Sequence, residues 1–375
     1  MFNNNLKFYS LNILMKKVFT FLFLNLLAFE LFAQSNGIGV RGFRFLDISV
    51  PTRAVSLGGS SAALFDNDVN LIFSNPASVS HLTHNQLALT YNNYVADINF
   101  GNLAYSYALK NKSVFVGSLQ YFNYGKFNGY NEYDEQTGKF YANDLSLNLS
   151  YSAAFNDTSF SYGVTLKTIY SYYIHSYALG NALDFGLNYH KRFFTASIVA
   201  QNVGKIWKPY LKGYSLTLPQ NTAIAVSYKL PKAPFRLQLI YNDLLNWHLD
   251  YVSPIFDIQN NILTGEGVTI NDKKKFGFIL VKHLIISNEI ILSKNFYLRV
   301  GYNFRRAQEM RLPDARPANG LSFGFEIKVS KFRISYAFSK MAVGGINNTF
   351  GLSMKLNEVA QFISKKNTED NSSGN

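Results

Sequence analysis

The chain has 375 residues, of which 36 are basic and 23 acidic, so the net charge is +13. Only 16% of the residues are charged while 47% are hydrophobic, although a soluble domain has roughly a quarter of its residues charged. The absence of cysteine excludes disulfides, thiolate zinc sites and thiol catalysis, and no basic cluster longer than Lys273–Lys275 supports nucleic-acid binding.

The N-terminus has the layout of a secretory signal peptide. A basic pair, Lys16–Lys17, precedes an apolar run over Val18–Phe32, and the small residue Ala33 follows it. We expect export with cleavage after Ala33, which removes residues 1–33, and Met15 is a candidate for the true start. The alternative is a membrane anchor, but a spanning helix needs about 20 apolar residues. No later segment has that length, so we expect no transmembrane helix in the mature chain.

Residues 34–85 lack the strict alternation that follows them. Helix-like stretches in this segment are interrupted by Gly58, Gly59 and Pro76. We interpret the segment as a short helical hatch that folds into the lumen of the barrel predicted below, because a wide barrel leaves a space that a plug can fill. A periplasmic extension is the alternative.

Two acidic residues of the hatch, Asp66 and Asp68, resemble the start of a calcium loop. No glutamate follows at the spacing that such a loop requires. Helix capping and hydrogen bonds from the hatch to the barrel wall are therefore the roles that we expect for these carboxylates.

Large apolar side chains recur at every second position over residues 86–357, as in the stretch from Leu321 to Lys340. This period predicts β-strands. Most predicted strands have about ten residues or more, whereas globular strands average about five or six and bilayer-crossing strands need about 9–11. The predicted strands lie near 86–96, 98–109, 112–124, 142–155, 158–173, 177–190, 192–203, 219–230, 233–245, 281–293, 295–306, 319–330, 331–341 and 346–357.

Short and long connections alternate between these strands, as in up-and-down transmembrane barrels. Lipid permits only a sheet that closes on itself, because an open edge would leave backbone groups unpaired. We therefore predict an all-β fold, a fourteen-stranded antiparallel transmembrane β-barrel. Its apolar face meets lipid, its polar face lines the lumen, and both termini lie at the periplasmic end. A soluble β-sandwich is the alternative.

Charged side chains at polar strand positions are expected to face the lumen, because a charge facing mid-bilayer lipid costs about 2–4 kcal/mol. Two roles are open for them: packing against the hatch, or gating and contact with a permeant. The set is Arg299, Arg305, Glu326, Lys328, Arg333 and Lys355.

The longest connection, 246–280, contains the aromatic residues Trp247, Tyr251 and Phe256. Exposed aromatic clusters suit protein recognition, so this is the candidate partner loop, and a loop that covers the barrel mouth is the alternative. Residues 358–375 are polar and are expected to form a disordered periplasmic tail.

Nothing in the sequence indicates an enzyme. Gly58-Gly59-Ser60-Ser61 lacks the phosphate-loop pattern, no Gly-x-Ser-x-Gly elbow occurs, and His81 with His84 is a weak metal signal. We expect no catalytic residue, no metal and no cofactor. Bound lipid or detergent in the lumen is the ligand that this interpretation leaves open.

The segments AVSLGGSSAALFDNDVNLIFSNPASVS, FTASIVAQNVG and KNFYLRVGYNFRR resemble the PorV/PorQ family of the type IX secretion system, and the likeness covers nearly the whole mature chain. That family is similar in turn to the FadL long-chain fatty-acid transporters. FadL-like barrels have fourteen strands and a hatch with an Asn-Pro-Ala motif, which Asn75, Pro76 and Ala77 match here.

The resemblance implies an outer membrane of the Bacteroidota kind, with extracellular loops. It implies a subunit of the type IX protein secretion and cell-surface attachment machinery that docks a surface partner through those loops. The implied partners are a PorZ-like surface protein and a PorU/PorV-like attachment complex. The alternative function is passive transport of hydrophobic small molecules across the outer membrane, as in FadL.

Overall fold

The computed structural model describes residues 40–94, 98–110, 112–155, 159–211, 213, 216–245, 276–309, 320–342 and 345–359. Contacts divide the chain into two units, Met1–Val40 and Arg41–Asn375, and the second unit contains the barrel. No helix within the described residues has the length and apolar character needed to cross a membrane.

Fourteen antiparallel strands form a closed barrel, which confirms the predicted fold class. The first strand pairs with the last, and Tyr91 lies opposite Phe350. The strands are β1 (Gln86–Asn93), β2 (Asn99–Ala108), β3 (Val114–Tyr130), β4 (Gln136–Ala154), β5 (Phe160–Tyr173), β6 (Ser176–Lys191), β7 (Phe194–Lys208), β8 (Asn221–Lys229), β9 (Phe235–Tyr241), β10 (Leu284–Ile291), β11 (Phe296–Asn303), β12 (Leu321–Val329), β13 (Phe332–Ala342) and β14 (Gly345–Lys355).

Within the described residues, helices are few and short. The hatch contains α1 (Thr52–Ser56) and four 3₁₀ helices, and two more helices follow barrel strands or precede them. The remaining elements are the 3₁₀ helices Arg44–Asp47, Val69–Phe73, Pro76–Ser78 and His81–Thr83, the helices α2 (Phe276–Lys282) and α3 (Phe304–Glu309), and the two-residue strands Val40–Arg41 and Leu216–Thr217.

Exposure alternates along the strands. Leu147 and Leu149 on β4 are 50% and 69% exposed, whereas Ser146 and Asn148 beside them are 0% and 3% exposed. Apolar side chains thus cover the outer face and polar side chains line the lumen. An outer face with this much contiguous apolar surface requires hydrocarbon, not water, as its solvent.

Some inward positions are apolar because the hatch packs on them. Phe100 and Phe122 point into the lumen with 2% and 1% exposure, and their rings stack with centroids 4.5 Å apart. Phe45 of the hatch meets Phe122 edge-on at 5.2 Å. This contact explains why the β3 sequence mixes its two faces: its lumenal side packs against the apolar core of the hatch.

Residues 125–141 were predicted to form a long loop between two strands, and this prediction is wrong. Most of the segment continues β3 and β4, which pair with each other from Lys126–Tyr141 to Tyr130–Gln136. The pairing of β3 with β2 ends at Asn123, and the pairing of β4 with β5 ends at Ala142. This two-stranded ribbon extends beyond the barrel wall. Since no core covers either of its faces, its sequence carries no alternation that would predict a strand.

The connections define two ends of the barrel. The short-turn end contains the connections β2–β3, β4–β5, β6–β7, β8–β9, β10–β11 and β12–β13, and the long-loop end contains the others. The long-loop end also has a two-residue turn, Ile174–His175 between β5 and β6, where a longer link was predicted. The predicted alternation of short and long links is therefore less strict than expected.

Candidate functional site

The Asn-Pro-Ala motif of the hatch is anchored in the lumen by one asparagine. Asn75 is fully buried, and its Oδ1 accepts a hydrogen bond from the Ala77 backbone N–H at 2.9 Å. Its Nδ2 donates to the Ala62 carbonyl at 3.0 Å and to Oδ1 of Asn188 on β6 at 2.6 Å. One amide side chain thus caps the following 3₁₀ turn, joins two parts of the hatch and ties both to the wall.

Glycines in the wall receive this part of the hatch. A Cβ atom added at Gly163 on β5 would lie 2.3 Å from the Pro76 carbonyl carbon, and one at Gly186 on β6 would lie 2.1 Å from Asn75 Oδ1. No side chain fits at either position without moving the hatch. The wall is therefore shaped for close backbone contact with the Asn-Pro-Ala motif.

Gly58 and Gly59 end helix α1 with φ angles of 88° and 110°, which non-glycine residues rarely adopt. The Gly58 carbonyl accepts a hydrogen bond from Asn303 Nδ2 at 3.0 Å. A Cβ at Gly301 on β11 would lie 2.2 Å from the Leu57 carbonyl carbon. The glycine pair thus lets the chain turn while it lies directly against the wall.

A buried ionic cluster connects the hatch to another part of the barrel wall. Arg53 of α1 is 8% exposed, and its Nη2 lies 2.9 Å from Glu289 Oε2 on β10. The same guanidinium pairs with Asp66 and Asp68 of the hatch. Asp68 also accepts a hydrogen bond from the Asn70 N–H at 3.0 Å and so caps the 3₁₀ helix Val69–Phe73.

The wall completes this cluster around Glu289, which is 1% exposed. Its Oε1 accepts from Arg299 Nε at 2.7 Å, and its Oε2 accepts from Arg236 Nη1 at 3.0 Å. Arg299 also binds Glu326 at 2.8 Å, and Arg236 reaches Asp66 of the hatch at 3.3 Å. Three arginines and four carboxylates thus pair with one another, and all of them except Asp66 are largely buried.

The other charges predicted to face the lumen have different surroundings. Arg333 donates to the Asn67 carbonyl of the hatch at 3.2 Å. Arg305 is in α3, outside the strands, where it pairs with Asp243. Lys328 is exposed at the short-turn end and Lys355 is half-buried there. The predicted partner-loop residues Trp247, Tyr251 and Phe256 lie outside the described residues.

Two cavities flank the hatch. The first has a volume of about 320 Å³ and lies between the hatch and the long-loop end, where Ser60, Tyr94, Lys282, Arg305 and Arg306 are among its lining residues. Its lining is mainly polar and cationic. Burial lowers the pKa of the Arg306 guanidinium to about 10, because the charged form loses solvation.

The second cavity has a volume of about 300 Å³ and lies toward the short-turn end. Phe65, Val79, Leu82 and His190 contribute to its lining, so it is less polar than the first. The rings of Phe65 and His190 are 5.1 Å apart. Asp66 of the Arg53 cluster also contributes to this lining.

Several residues of this site were not predicted from the sequence. Glu289 occupies an inward position of an alternating strand, so the period that identified Glu326 could also have found it. Arg236 on β9 has the same signal. Arg53 is in the hatch, where no period marks the buried face, and Arg306 lies within the short helix α3 that follows β11. Their roles depend on contacts between distant segments.

The geometry defines a plugged fourteen-stranded barrel with an apolar exterior, and comparison with solved structures agrees. The toluene transporter TodX of P. putida aligns with 83% of this chain and 99% of its own, at 13% identity and a TM-score of 0.53. A TodX deltaS2S3 mutant, described as a monoaromatic hydrocarbon channel, aligns with 82% of this chain and 99% of its own, at 11% identity and a TM-score of 0.53. The shared property is the fold.

A FadL homologue of Pseudomonas aeruginosa also aligns, with 81% of this chain and 97% of its own, at 11% identity and a TM-score of 0.46, which is too low to carry an argument. No protein-family model and no curated protein matches the chain. These comparisons therefore give no support to the PorV/PorQ assignment in particular.

Proposed function

We propose that this chain is an outer-membrane channel for hydrophobic small molecules, which is the alternative function named above. The apolar exterior of the closed barrel requires a lipid environment. The TodX barrels, which share its fold, are described as transporters of toluene and monoaromatic hydrocarbons. In this proposal the long loops are extracellular and both termini are periplasmic.

The observation that carries the proposal is the pair of cavities on opposite sides of the hatch. Their volumes of about 320 and 300 Å³ exceed the roughly 150 Å³ of an engineered cavity that binds benzene. Each cavity therefore has room for one monoaromatic molecule. Passage requires a route around the hatch between the cavities, through small movements of the loops and side chains.

Uptake measurements test this function. A strain that lacks the gene, complemented with the wild-type chain, should accumulate radiolabelled toluene faster than the uncomplemented strain. Ser60→Trp places an indole at the lining of the first cavity and should abolish the gain, whereas Ser293→Trp, in an exposed turn, should not. Equal uptake with and without the wild-type chain would remove the proposal.

A second candidate function is docking within the type IX secretion machinery, with a PorZ-like protein and a PorU/PorV-like complex as partners. Its support is the PorV/PorQ resemblance together with the projecting ribbon. Tyr130 and Tyr133 on that ribbon are 57% and 82% exposed, and exposed tyrosines are frequent anchors in protein interfaces.

Affinity purification from native membranes in mild detergent tests this docking function. Secretion components should be retained with the wild-type chain and lost from a Tyr130→Ala, Tyr133→Ala variant. A deletion strain that secretes normally but loses toluene uptake would favour the channel and reject docking.

A further inference from the structure

Basic side chains form a rim at the short-turn end of the barrel. Five exposed members, here called the basic rim, lie in or next to four of its six connections. They are Lys110, Lys191, Arg192, Lys232 and Lys294. Acidic residues are scarce around them: Asp157 is the only one in these connections, and Glu358 follows β14.

The basic rim is not neutralised within the described part of the chain. None of its five members forms an ion pair with a described residue, and Glu358 lies 3.8 Å from a different lysine, Lys331. Its charges are therefore free to interact with a partner outside the barrel.

Exposed aromatic side chains lie next to the basic rim on the outer face. They occupy the outward positions nearest the short turns, where they would meet the boundary between hydrocarbon and headgroups. The set is Tyr107, Phe115, Phe160, Phe194, Phe235 and Phe332, with exposures of 50%, 50%, 41%, 38%, 37% and 37%. An aromatic girdle at that depth places the neighbouring lysines at the level of the lipid phosphates.

We propose that the basic rim binds the phosphate groups of anionic phospholipids in the leaflet around the short-turn end. The proposal rests on the membrane placement in the proposed function, but it does not depend on which molecule the channel passes. Each lysine or arginine near an anionic membrane surface strengthens binding by about fivefold.

The arrangement favours a lipid leaflet over a free anion or a protein. A site for one free phosphate needs several cations that converge, whereas these five lie in or next to different connections of a closed barrel. They also adjoin an aromatic girdle, which suits lipid and has no role in binding a soluble acidic protein. A lipid leaflet surrounds the barrel, so its phosphate groups can contact every member of the basic rim.

Native mass spectrometry of the full chain, exchanged into a mixture of phosphatidylglycerol and phosphatidylcholine, tests the proposal. The wild-type chain should retain phosphatidylglycerol preferentially. A Lys110→Gln, Lys294→Gln variant should lower this preference by about tenfold or more, given the fivefold effect of each charge. The control Lys139→Gln, Lys205→Gln removes the same charge from exposed positions at the long-loop end and should change the preference by less than about twofold.

Measuring the lipid preference of the wild-type chain at several salt concentrations tests the proposal without a variant. Because the Debye length is about 8 Å at physiological ionic strength and about 3 Å at 1 M, the preference of the wild-type chain for phosphatidylglycerol should fall as the salt concentration rises.

Equal retention of both lipids by the wild-type chain, or equal losses of lipid preference in the two variants, would overturn the proposal. So would a rim variant that keeps its lipid preference but loses binding to an acidic polypeptide, poly-glutamate. Toluene uptake is a separate readout, so failure here leaves the channel proposal to its own test.

Discussion

Gly186 of the barrel wall lies so close to Asn75 of the hatch that a Cβ atom at residue 186 would be 2.1 Å from Asn75 Oδ1. The same Asn75 oxygen accepts the Ala77 N–H. A methyl group at residue 186 would therefore displace the asparagine side chain and break the turn that it caps. The position couples the wall sequence directly to the conformation of the hatch.

The Gly186→Ala variant should lose about 1–3 kcal/mol of unfolding free energy, because overpacking forces the hatch away from β6. Thermal unfolding in detergent would measure the loss. Gly117→Ala is the matched control, since an added Cβ on the outer face of β3 meets no atom within 4 Å. Its effect should stay within about 0.5 kcal/mol. Equal effects of the two substitutions would contradict the close contact.

The ionic cluster gives a second prediction. Glu289→Gln removes the carboxylate shared by Arg53, Arg236 and Arg299, so each of these buried guanidiniums loses one of its acidic partners. We expect a loss of about 1.5–3 kcal/mol of unfolding free energy, because charge-assisted hydrogen bonds are lost in a buried site. Denaturant titration in detergent micelles provides the measurement.

The control for that variant is Glu358→Gln. Glu358 lies 3.8 Å from Lys331 on the surface, and both side chains are more than a third exposed. Such pairs contribute about 0–1 kcal/mol, so little change is expected. If Glu289→Gln were as mild as the control, the cluster would not hold the hatch.

The barrel could be predicted from the sequence because its period is physical. Every strand that separates lipid from lumen must alternate, and residues such as Leu149 and Asn148 carry that signal directly. The ribbon of β3 and β4 escaped prediction because neither of its faces is buried. Its strands pair without burying an apolar face, so the hydrophobic pattern of the sequence does not reveal them.

The site was less accessible to prediction. Asp66 was expected to bond to the wall, and the structure places it against Arg236. Arg53, which joins Asp66 to Glu289, gave no signal because the irregular hatch has no repeating face. Arg53 and Glu289 are 236 positions apart in the sequence. A contact over that separation cannot be derived from the local hydrophobic pattern.

A disulfide tether tests whether the hatch must leave for a molecule to pass. A Cβ at Gly351 would lie 3.4 Å from Thr52 Cβ, near the roughly 3.8 Å of disulfides. Since the chain has no cysteine, Thr52→Cys, Gly351→Cys introduces one pair alone. We expect the oxidised variant to keep its toluene uptake, because expelling the hatch would break the Arg53 cluster.

Oxidation is checked by a mobility shift on non-reducing gels, with Thr52→Cys alone as the control. Uptake that is lost on oxidation and restored by reductant would mean that the hatch moves out of the lumen during passage. That result would contradict a route around a stationary hatch.

The solvent of the outer face is tested by moving a charge onto it. Leu149 is 69% exposed and pairs with Leu166 near the middle of β5, so Leu149→Arg should cost about 2–4 kcal/mol if hydrocarbon surrounds that position. Tyr133→Arg is the control, because Tyr133 is 82% exposed on the ribbon beyond the wall and a surface substitution there should change stability by less than about 0.5 kcal/mol. Denaturant unfolding of the chain folded into lipid bilayers measures both. Equal stability of the two variants would mean that water, not lipid, covers the strands.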